Sequence, residues 1–461
     1  MAGQGIPAQT GISKVVVCGG GHGAHAMVAT LAARAAAKIV WFLPYGDECA
    51  RVQRALEDGS DGPPGLAAVG TGEEFFVEPQ RLVISNDPAT AARAELVLLV
   101  VPAFAHRPLL QSLGIHLSPE TVIGAIPARG GFQYEVSDRT SFGLQTLPWA
   151  CRLEVFGRRV RILAEKEKVL LGSRPVEAGP ALARLLTDWL GIPVQARGGL
   201  TAMTLANIGQ VLHPGLMYVH LCRLAGAFPR RADRTAIAGA ASMEKGDPAA
   251  ALMGESEIPY FYRDAGEDGA ALLAAMSGEI MSLRRSLEEA MGPGLDLTAV
   301  VDVFTWLKQA YAGDIEDDSS LARALATNRA YRGIRLPVLE VSAADASGAT
   351  SGQETRYRAD LGSRYLTEDV PFGLVVTRGL AELAGVATPT IDLVLERLSR
   401  WMGKEYLRGG RLAGADVTGS RAPQRYGMQT LAEALAGETA GRQKEEERDG
   451  TRRVRGRDVP A

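Results

Sequence analysis

Residues 15 to 26 read VVVCGGGHGAHA. A β-branched run that stops at three glycines and then turns alanine-rich reads as a strand, a tight turn and a helix. Gly19, Gly21 and Ala24 stand at the three small-residue positions of a dinucleotide fingerprint. The first lets the chain turn off the strand, the second lets backbone approach a pyrophosphate, and the third lets the helix pack on the sheet. His22 and Gly23 lie inside the turn and would line the cofactor, with the N–H groups of the helix from Ala24 to Ala37 aimed at its phosphates. The competing reading is a glycine-rich turn that merely closes a strand.

The surrounding pattern favours the nucleotide reading. Up to about Arg197, short apolar runs alternate with helical ones: KVVVCG, KIVWFL, RLVISN, LVLLVVP, TVIGAIP and two strands within RRVRILAEKEKVLLG. Such alternation predicts a Rossmann-type α/β domain with a doubly wound parallel sheet. Pro102, at the end of LVLLVVP, is expected to border the cofactor. A ribose-binding acid belongs about 20 residues after the glycines. The strand KIVWFLP ends without one, so Asp47 is the candidate, against a plain N-cap of the helix ECARVQRAL. Arg51 and Arg54 on that helix could face a 2′-phosphate, so NADH is expected and NADPH stays open.

After Leu200 the periodicity becomes helical, in TAMTLANIGQVLHPGLMYVHLCRLA and in several segments up to AVATPTIDLVLERLSRWMG, which starts near Thr388 or Thr390. The expected organisation is a disordered N-terminus (1–13), a nucleotide-binding domain (14–199), an all-α domain (200–440) and a charged, disordered tail (441–461). Ser342 to Gly352 reads as a loop.

Composition narrows the function classes. A formal net charge of -3 gives no reason to expect nucleic acid or an anionic membrane as partner. Cysteines 18, 49, 151 and 222 stand far apart, without a CxxC pair, as suits a reducing compartment. The HxxH of His22 and His25 lacks a third ligand nearby, so no metal is expected. With no secretory pattern at the N-terminus and no spanning segment, a cytoplasmic protein is the default.

Two helical segments hold polar groups among apolar neighbours. In ANIGQVLHPGLMY, Asn207, Gln210 and His213 recur at spacings of three, and Pro214 disturbs the helix beside His213. That suits a site as well as it suits a hydrogen-bonded core histidine; His220, one heptad on, reads as core. In GSRYLTEDVPFG, Arg364 could clamp a carboxylate and Glu368 or Asp369 could orient a histidine. The plain alternative is a helix-start acid pair beside a surface arginine.

Taken together, CGGGHGAHA, VPAFAH, LPWACRLEVFGRRV, VLHP, SRYLTEDVPFG, GKEYL and PQRYG resemble the opine dehydrogenases, in particular the octopine dehydrogenase branch, in order and approximate spacing from about Lys14 to Leu435. The resemblance implies a nucleotide domain followed by a helical opine dehydrogenase domain, with the active site in a cleft between them. It implies reductive condensation of an amino acid with a 2-oxo acid, commonly pyruvate, through an imine reduced by NAD(P)H. The family's catalytic histidine falls on His213, its carboxylate partner on Asp369 and its substrate-carboxylate arginine on Arg364. Thr146 just before, and Trp149 and Cys151 within, the family's LPWAC element would lie near the cleft, with Cys151 a packed or cleft-lining thiol, and Asn207 joins the substrate contacts. Where glutamine is expected after IGAIP, this chain has Arg129. An added cation there disfavours a guanidinium substrate and favours a neutral or acidic amino acid; alternatively Arg129 pairs with Glu135. A hydroxy-acid or polyol dehydrogenase on the same plan, and a non-catalytic nucleotide-binding scaffold, are the competing functions. Monomer and homodimer are both open.

Overall fold

The structure is a computed structural model, and it describes residues 11–60, 62–136, 139–226, 247–341 and 355–439. The stretches 1–10 and 441–461 of the two tails expected to be disordered, and the expected loop Ser342–Gly352, lie outside these residues. Ser13, within the first of those tails, is described: its N–H and its hydroxyl both donate to the Glu95 carboxylate at 2.6 Å.

The chain forms two compact units, Met1–Met203 with Leu287–Ala299 and Leu435–Ala461, and Thr204–Ser286 with Val300–Ala434. The first segment of the first unit ends at Met203, and the unit also takes in two segments from beyond the expected cut at 199/200. The return of two later segments to the first unit has a physical cause. The Thr201 N–H donates to Glu438 at 2.7 Å, and a Cβ on Gly198 would lie 2.1 Å from the Asp296 carbonyl. Burial pushes the Glu438 carboxyl up to about 7.

In the first unit the strands are β1 (Lys14–Cys18), β2 (Lys38–Phe42), β3 (Leu66–Gly70), β4 (Phe75–Val77), β5 (Leu82–Ser85), β6 (Leu96–Leu99), β7 (Val122–Ala125), β8 (Ser141–Leu144), β9 (Trp149–Val155), β10 (Arg159–Glu165), β11 (Val169–Arg174) and β12 (Val194–Ala196). The main sheet has the order β12-β11-β8-β7-β6-β1-β2-β5. From β5 to β8 every pairing is parallel. This run reverses direction between β1 and β6, the switch point at which doubly wound sheets bind dinucleotides. β11, read from KVLLG, joins β8 antiparallel and carries β12; the sequence pattern announces neither that antiparallel pairing nor β12. Nor does the pattern announce a second sheet, β4-β3-β10-β9. β3 and β4 are short and lack β-branched runs, and in WACRLEV only every second side chain near the start is buried. Helix α1 (His22–Arg34) is buried from Gly23 to Ala32, which accounts for its alanines: small side chains let it lie between the sheet and its other neighbours. Helices α2 (Glu48–Glu57), α3 (His106–Gly114) and α4 (Gly179–Leu190) follow in this unit.

In the second unit the helices α5 (Leu200–Leu205, its end) and α6 (Gly209–Leu224) lead into Gly266–Met291, Val303–Ala310, Leu321–Thr327, Val375–Ala384 and Pro389–Trp401. The unit also carries one antiparallel pair, Val338–Val341 with Arg356–Ala359. Gly215 lets α6 lie against the Gly266–Met291 helix, since a Cβ there would meet Leu273 at 2.6 Å. The Pro389–Trp401 helix is not capped by Thr388 or Thr390. Its Thr390 and Ile391 N–H groups donate to Glu279, from another helix, at 2.7 and 2.9 Å. Among the described residues no helix is long and apolar enough to cross a membrane.

Candidate active site

The glycine turn follows β1. Gly19 has φ +124, and a Cβ on it would lie 2.6 Å from the Val100 carbonyl of the neighbouring chain segment, so only glycine fits. A Cβ on Gly21 would meet nothing within 4 Å: this is the open face that a pyrophosphate needs. Gly23 lies against Leu147, and Ala24 is fully buried. The turn is braced from below. Trp41 Nε1–H donates to the Gly19 carbonyl at 2.7 Å. The Gly157 N–H donates to His25 Nε2 at 2.9 Å, so Nδ1 carries the ring proton and donates to the Gly21 carbonyl at 2.9 Å. Burial holds the His25 imidazole down to about 4, so the ring is neutral at working pH. His22 accepts from the Leu153 N–H through Nδ1 at 2.7 Å. Both members of the HxxH pair thus serve backbone groups, and among the described residues no cluster of metal-ligating side chains occurs.

Asp47 does not face the turn. Its side chain is 71% exposed and pairs with Arg51 at 3.6 Å, while Arg51 lies over the Phe156 ring. Glu48, the next residue, takes the place expected for Asp47. A Cβ on Gly20 would lie 2.6 Å from Glu48 Oε2, and that oxygen is buried without a hydrogen-bond partner among the described residues. Burial raises the Glu48 pKa. One residue of register separates the two acids, and only the start of α2 (Glu48–Glu57) decides which one turns inward.

Pro102 follows β6, Arg129 follows β7 and Thr146 follows β8, so all three stand at the carboxyl edge of the parallel strands, with the glycine turn. Arg129 is half-buried and has interactions of its own; Glu135 lies 3.9 Å from Arg107 and also has others. Trp149 departs from expectation. It is 4% exposed and packs in the hydrophobic core of the first unit. Cys151 is likewise a packed thiol, and burial raises its pKa.

In the second unit the polar face of α6 resolves residue by residue. Gln210 is fully buried and spent internally: it donates to the Thr204 carbonyl and accepts from the Thr377 hydroxyl. His220 is a core histidine, bonded to the Phe261 carbonyl at 2.8 Å and held down to about 4 by burial. Asn207 precedes the helix and accepts from the Gly209 N–H at 3.2 Å, while its Nδ2 is buried without a partner among the described residues. His213 Nδ1 lies 2.7 Å from Asp369 Oδ2, across 156 residues of sequence, and Tyr365 stacks on the ring at 4.0 Å. Asp369 is buried. It reaches the histidine because the helical turn Arg364–Thr367 ends in a wide turn, Val370–Leu374, that contains Pro371 and non-helical Phe372. Glu368, one residue earlier, takes a different task. Its Oε2 accepts from Arg364 Nε at 2.7 Å and from Nη2 at 2.5 Å, which fixes the guanidinium while its side chain stays 65% exposed.

A carboxylate that accepts from Nδ1–H orients an imidazole and stabilises the imidazolium it forms on taking a second proton. An arginine aimed by a buried acid is a fork for a carboxylate. With a doubly wound sheet carrying an open glycine turn, these are the parts of a nicotinamide-dependent dehydrogenase acting on a carboxylate substrate. Comparison with known proteins agrees. The family model "NAD/NADP octopine/nopaline dehydrogenase, alpha-helical domain" matches residues 196–402. The tauropine dehydrogenase of Arabella iricolor is 31% identical over 429 residues, 90% of this chain and 98% of that protein. The octopine dehydrogenase of Pecten maximus is 33% identical over 434 residues, 92% of this chain and 99% of that protein. A structure of octopine dehydrogenase with NADH and L-arginine is 30% identical, with a TM-score of 0.75, and covers 93% of this chain and 99% of its own. The chain belongs to the octopine dehydrogenase family.

Proposed function

We propose that this chain is an opine dehydrogenase, which condenses an amino acid with a 2-oxo acid, pyruvate first among them, and reduces the resulting imine with NADH. The observation that carries the reading is the His213–Asp369 pair at 2.7 Å; Arg364, five residues before Asp369, is held by Glu368. The relatives named for tauropine and octopine and the solved octopine dehydrogenase complexes with NADH and L-arginine and with NADH and pyruvate support it.

The residues fit NADH. Gly19 to Gly23 and the start of α1 would receive the pyrophosphate, Glu48 the adenosine ribose, and Pro102 would border the cofactor. When bound, NADH supplies the hydride that reduces the imine carbon. The other steps are proton transfers and belong to the chain. The amino acid's ammonium gives up a proton and attacks the oxo carbon, and the carbinolamine takes one back as water leaves. His213 serves both transfers as base and then acid, with Asp369 stabilising the imidazolium between them. Arg364 holds the oxo-acid carboxylate, and Asn207 Nδ2 offers a hydrogen bond to the substrate. Arg129 adds a cation, so a neutral or acidic amino acid is the expected partner, with Thr146 a further substrate contact.

The test is NADH and NADPH oxidation by the full chain with pyruvate against a panel of amino acids, taurine and β-alanine included, with mass spectrometry of the product. A secondary amine dicarboxylate or its sulfonate counterpart is expected. Oxidation with pyruvate alone, unchanged by any amino acid, would point to a hydroxy-acid dehydrogenase instead. The cofactor site has its own test. Glu48→Gln keeps the size of the side chain and removes the charge. NADH affinity should fall about tenfold, the worth of a hydrogen bond to a charged group, with NADPH less affected in a fluorescence titration. An unchanged NADH affinity removes Glu48 from the ribose.

A further inference from the structure

Both ring nitrogens of His213 are engaged by the protein itself. Nδ1 faces Asp369 Oδ2 at 2.7 Å, and Nε2 faces the Tyr262 hydroxyl at 3.1 Å. A carboxylate only accepts, so Nδ1 carries the proton, and Nε2 of the neutral ring accepts from Tyr262. Neither ring has room to turn away. Tyr365 stacks on His213 at 4.0 Å with 15° between the planes. Tyr331 stacks on Tyr262 at 3.8 Å, also at 15°, and Phe261 meets Tyr262 nearly perpendicular at 5.0 Å. A flip of the imidazole would forfeit Asp369. Among the described residues, the Tyr262 hydroxyl is the hydrogen-bond partner of the nitrogen that must exchange protons during the reaction, and stacking holds that hydroxyl's ring in place.

We propose that the Tyr262 hydroxyl is the proton relay between His213 and the substrate. The identity of the substrate rests on the opine dehydrogenase reading; the contact does not. In the first transfer an N–H bond of the substrate ammonium breaks and its proton goes to the Tyr262 oxygen, while the Tyr262 O–H proton goes to His213 Nε2. One N–H bond is lost and one formed, the tyrosine leaves the step neutral, and no electrons change hands. The second transfer runs the other way, from Nε2–H through Tyr262 to the carbinolamine oxygen as water leaves. A phenol suits this task because its oxygen can donate to a neutral imidazole and accept from an imidazolium. Burial, then the neighbouring Tyr365 and Tyr311, raise the Tyr262 pKa well above the ordinary phenol value, so the group remains a neutral hydroxyl with a proton to pass.

Tyr262→Phe in the full chain removes the hydroxyl and keeps the ring between its neighbours. With pyruvate and an accepted amino acid, kcat should fall about 10²-fold, within the range for lost acid–base catalysis. KM for pyruvate and NADH affinity should move by less than about threefold, since neither involves the relay. The double variant Tyr262→Phe/His213→Ala should be no slower than His213→Ala, because residues on one proton path are not additive. In protein labelled with ¹⁵N-histidine, the His213 Nε2 resonance should shift in Tyr262→Phe, whatever the substrate. Fluorinated tyrosine at position 262 keeps both ring and hydroxyl and is the second test: as the phenol is made more acidic, kcat should change. A kcat within about threefold of wild type in Tyr262→Phe, additive losses in the double variant, an unmoved Nε2 resonance, or a kcat indifferent to fluorination would each overturn the relay. Absence of turnover by the wild-type chain on every oxo-acid and amino-acid pair overturns the opine reading instead, and the resonance decides the Tyr262 contact independently of it.

Discussion

His213→Ala should lower turnover by about 10²–10⁴-fold, the span of general acid–base catalysis, while NADH binding survives. The split follows from where the residue stands. His213 lies on α6, and the groups proposed to receive the nucleotide, the glycine turn and Glu48, belong to the other compact unit. What the variant loses is the imidazole that Asp369 orients at 2.7 Å and the route through which a substrate proton moves. The loss should therefore appear in kcat, with a smaller change in the KM for the oxo acid, because Arg364 and its Glu368 support remain. Steady-state kinetics alongside an NADH fluorescence titration check both halves. Near-normal turnover would remove His213 from the mechanism.

Arg364→Ala should raise the KM for the oxo acid by about 10- to 150-fold, the equivalent of the 1.5–3 kcal/mol of a hydrogen bond to a charged group. Glu368 Oε2 takes Nε and one hydrogen of Nη2, and the rest of the guanidinium is exposed and would be free to meet a carboxylate. Arg364→Lys separates charge from shape. It keeps a cation beside Glu368 but loses the planar fork, so it should recover only part of the affinity. A rise in KM confined to the amino acid would assign Arg364 to the other substrate.

Legibility in the sequence followed the range of the interactions. VVVCGGGHGAHA announced its strand, turn and helix because each depends on near neighbours: β-branched residues for β1, positive φ at Gly19, and small side chains for a buried α1. The run of parallel strands was legible for the same reason. β9, β3 and β4 were not, since their burial on one face comes from a sheet that forms only when distant segments meet. Likewise nothing near Thr388 shows that Glu279 will cap the helix there.

The site divides along the same line. His213, Asp369 and Arg364 could be named from motifs, yet each had an ordinary reading that local pattern could not dismiss. Tertiary structure separated His213 from His220, which has the same residue type and similar neighbours: the first meets Asp369 and Tyr262, the second a backbone carbonyl. It separated Asp369 from Glu368 and turned Glu48 inward in place of Asp47. It also brought Tyr262 to His213, a contact that no spacing in the sequence foretells. Chain-local preferences alone determined that this protein has a nucleotide-type sheet with an open glycine turn, followed by helices. Which of its acids, histidines and tyrosines face one another was decided by packing, because a hydrogen bond 2.7 Å long between residues 156 apart exists only after helix α6 and the turn that carries Asp369 have packed together.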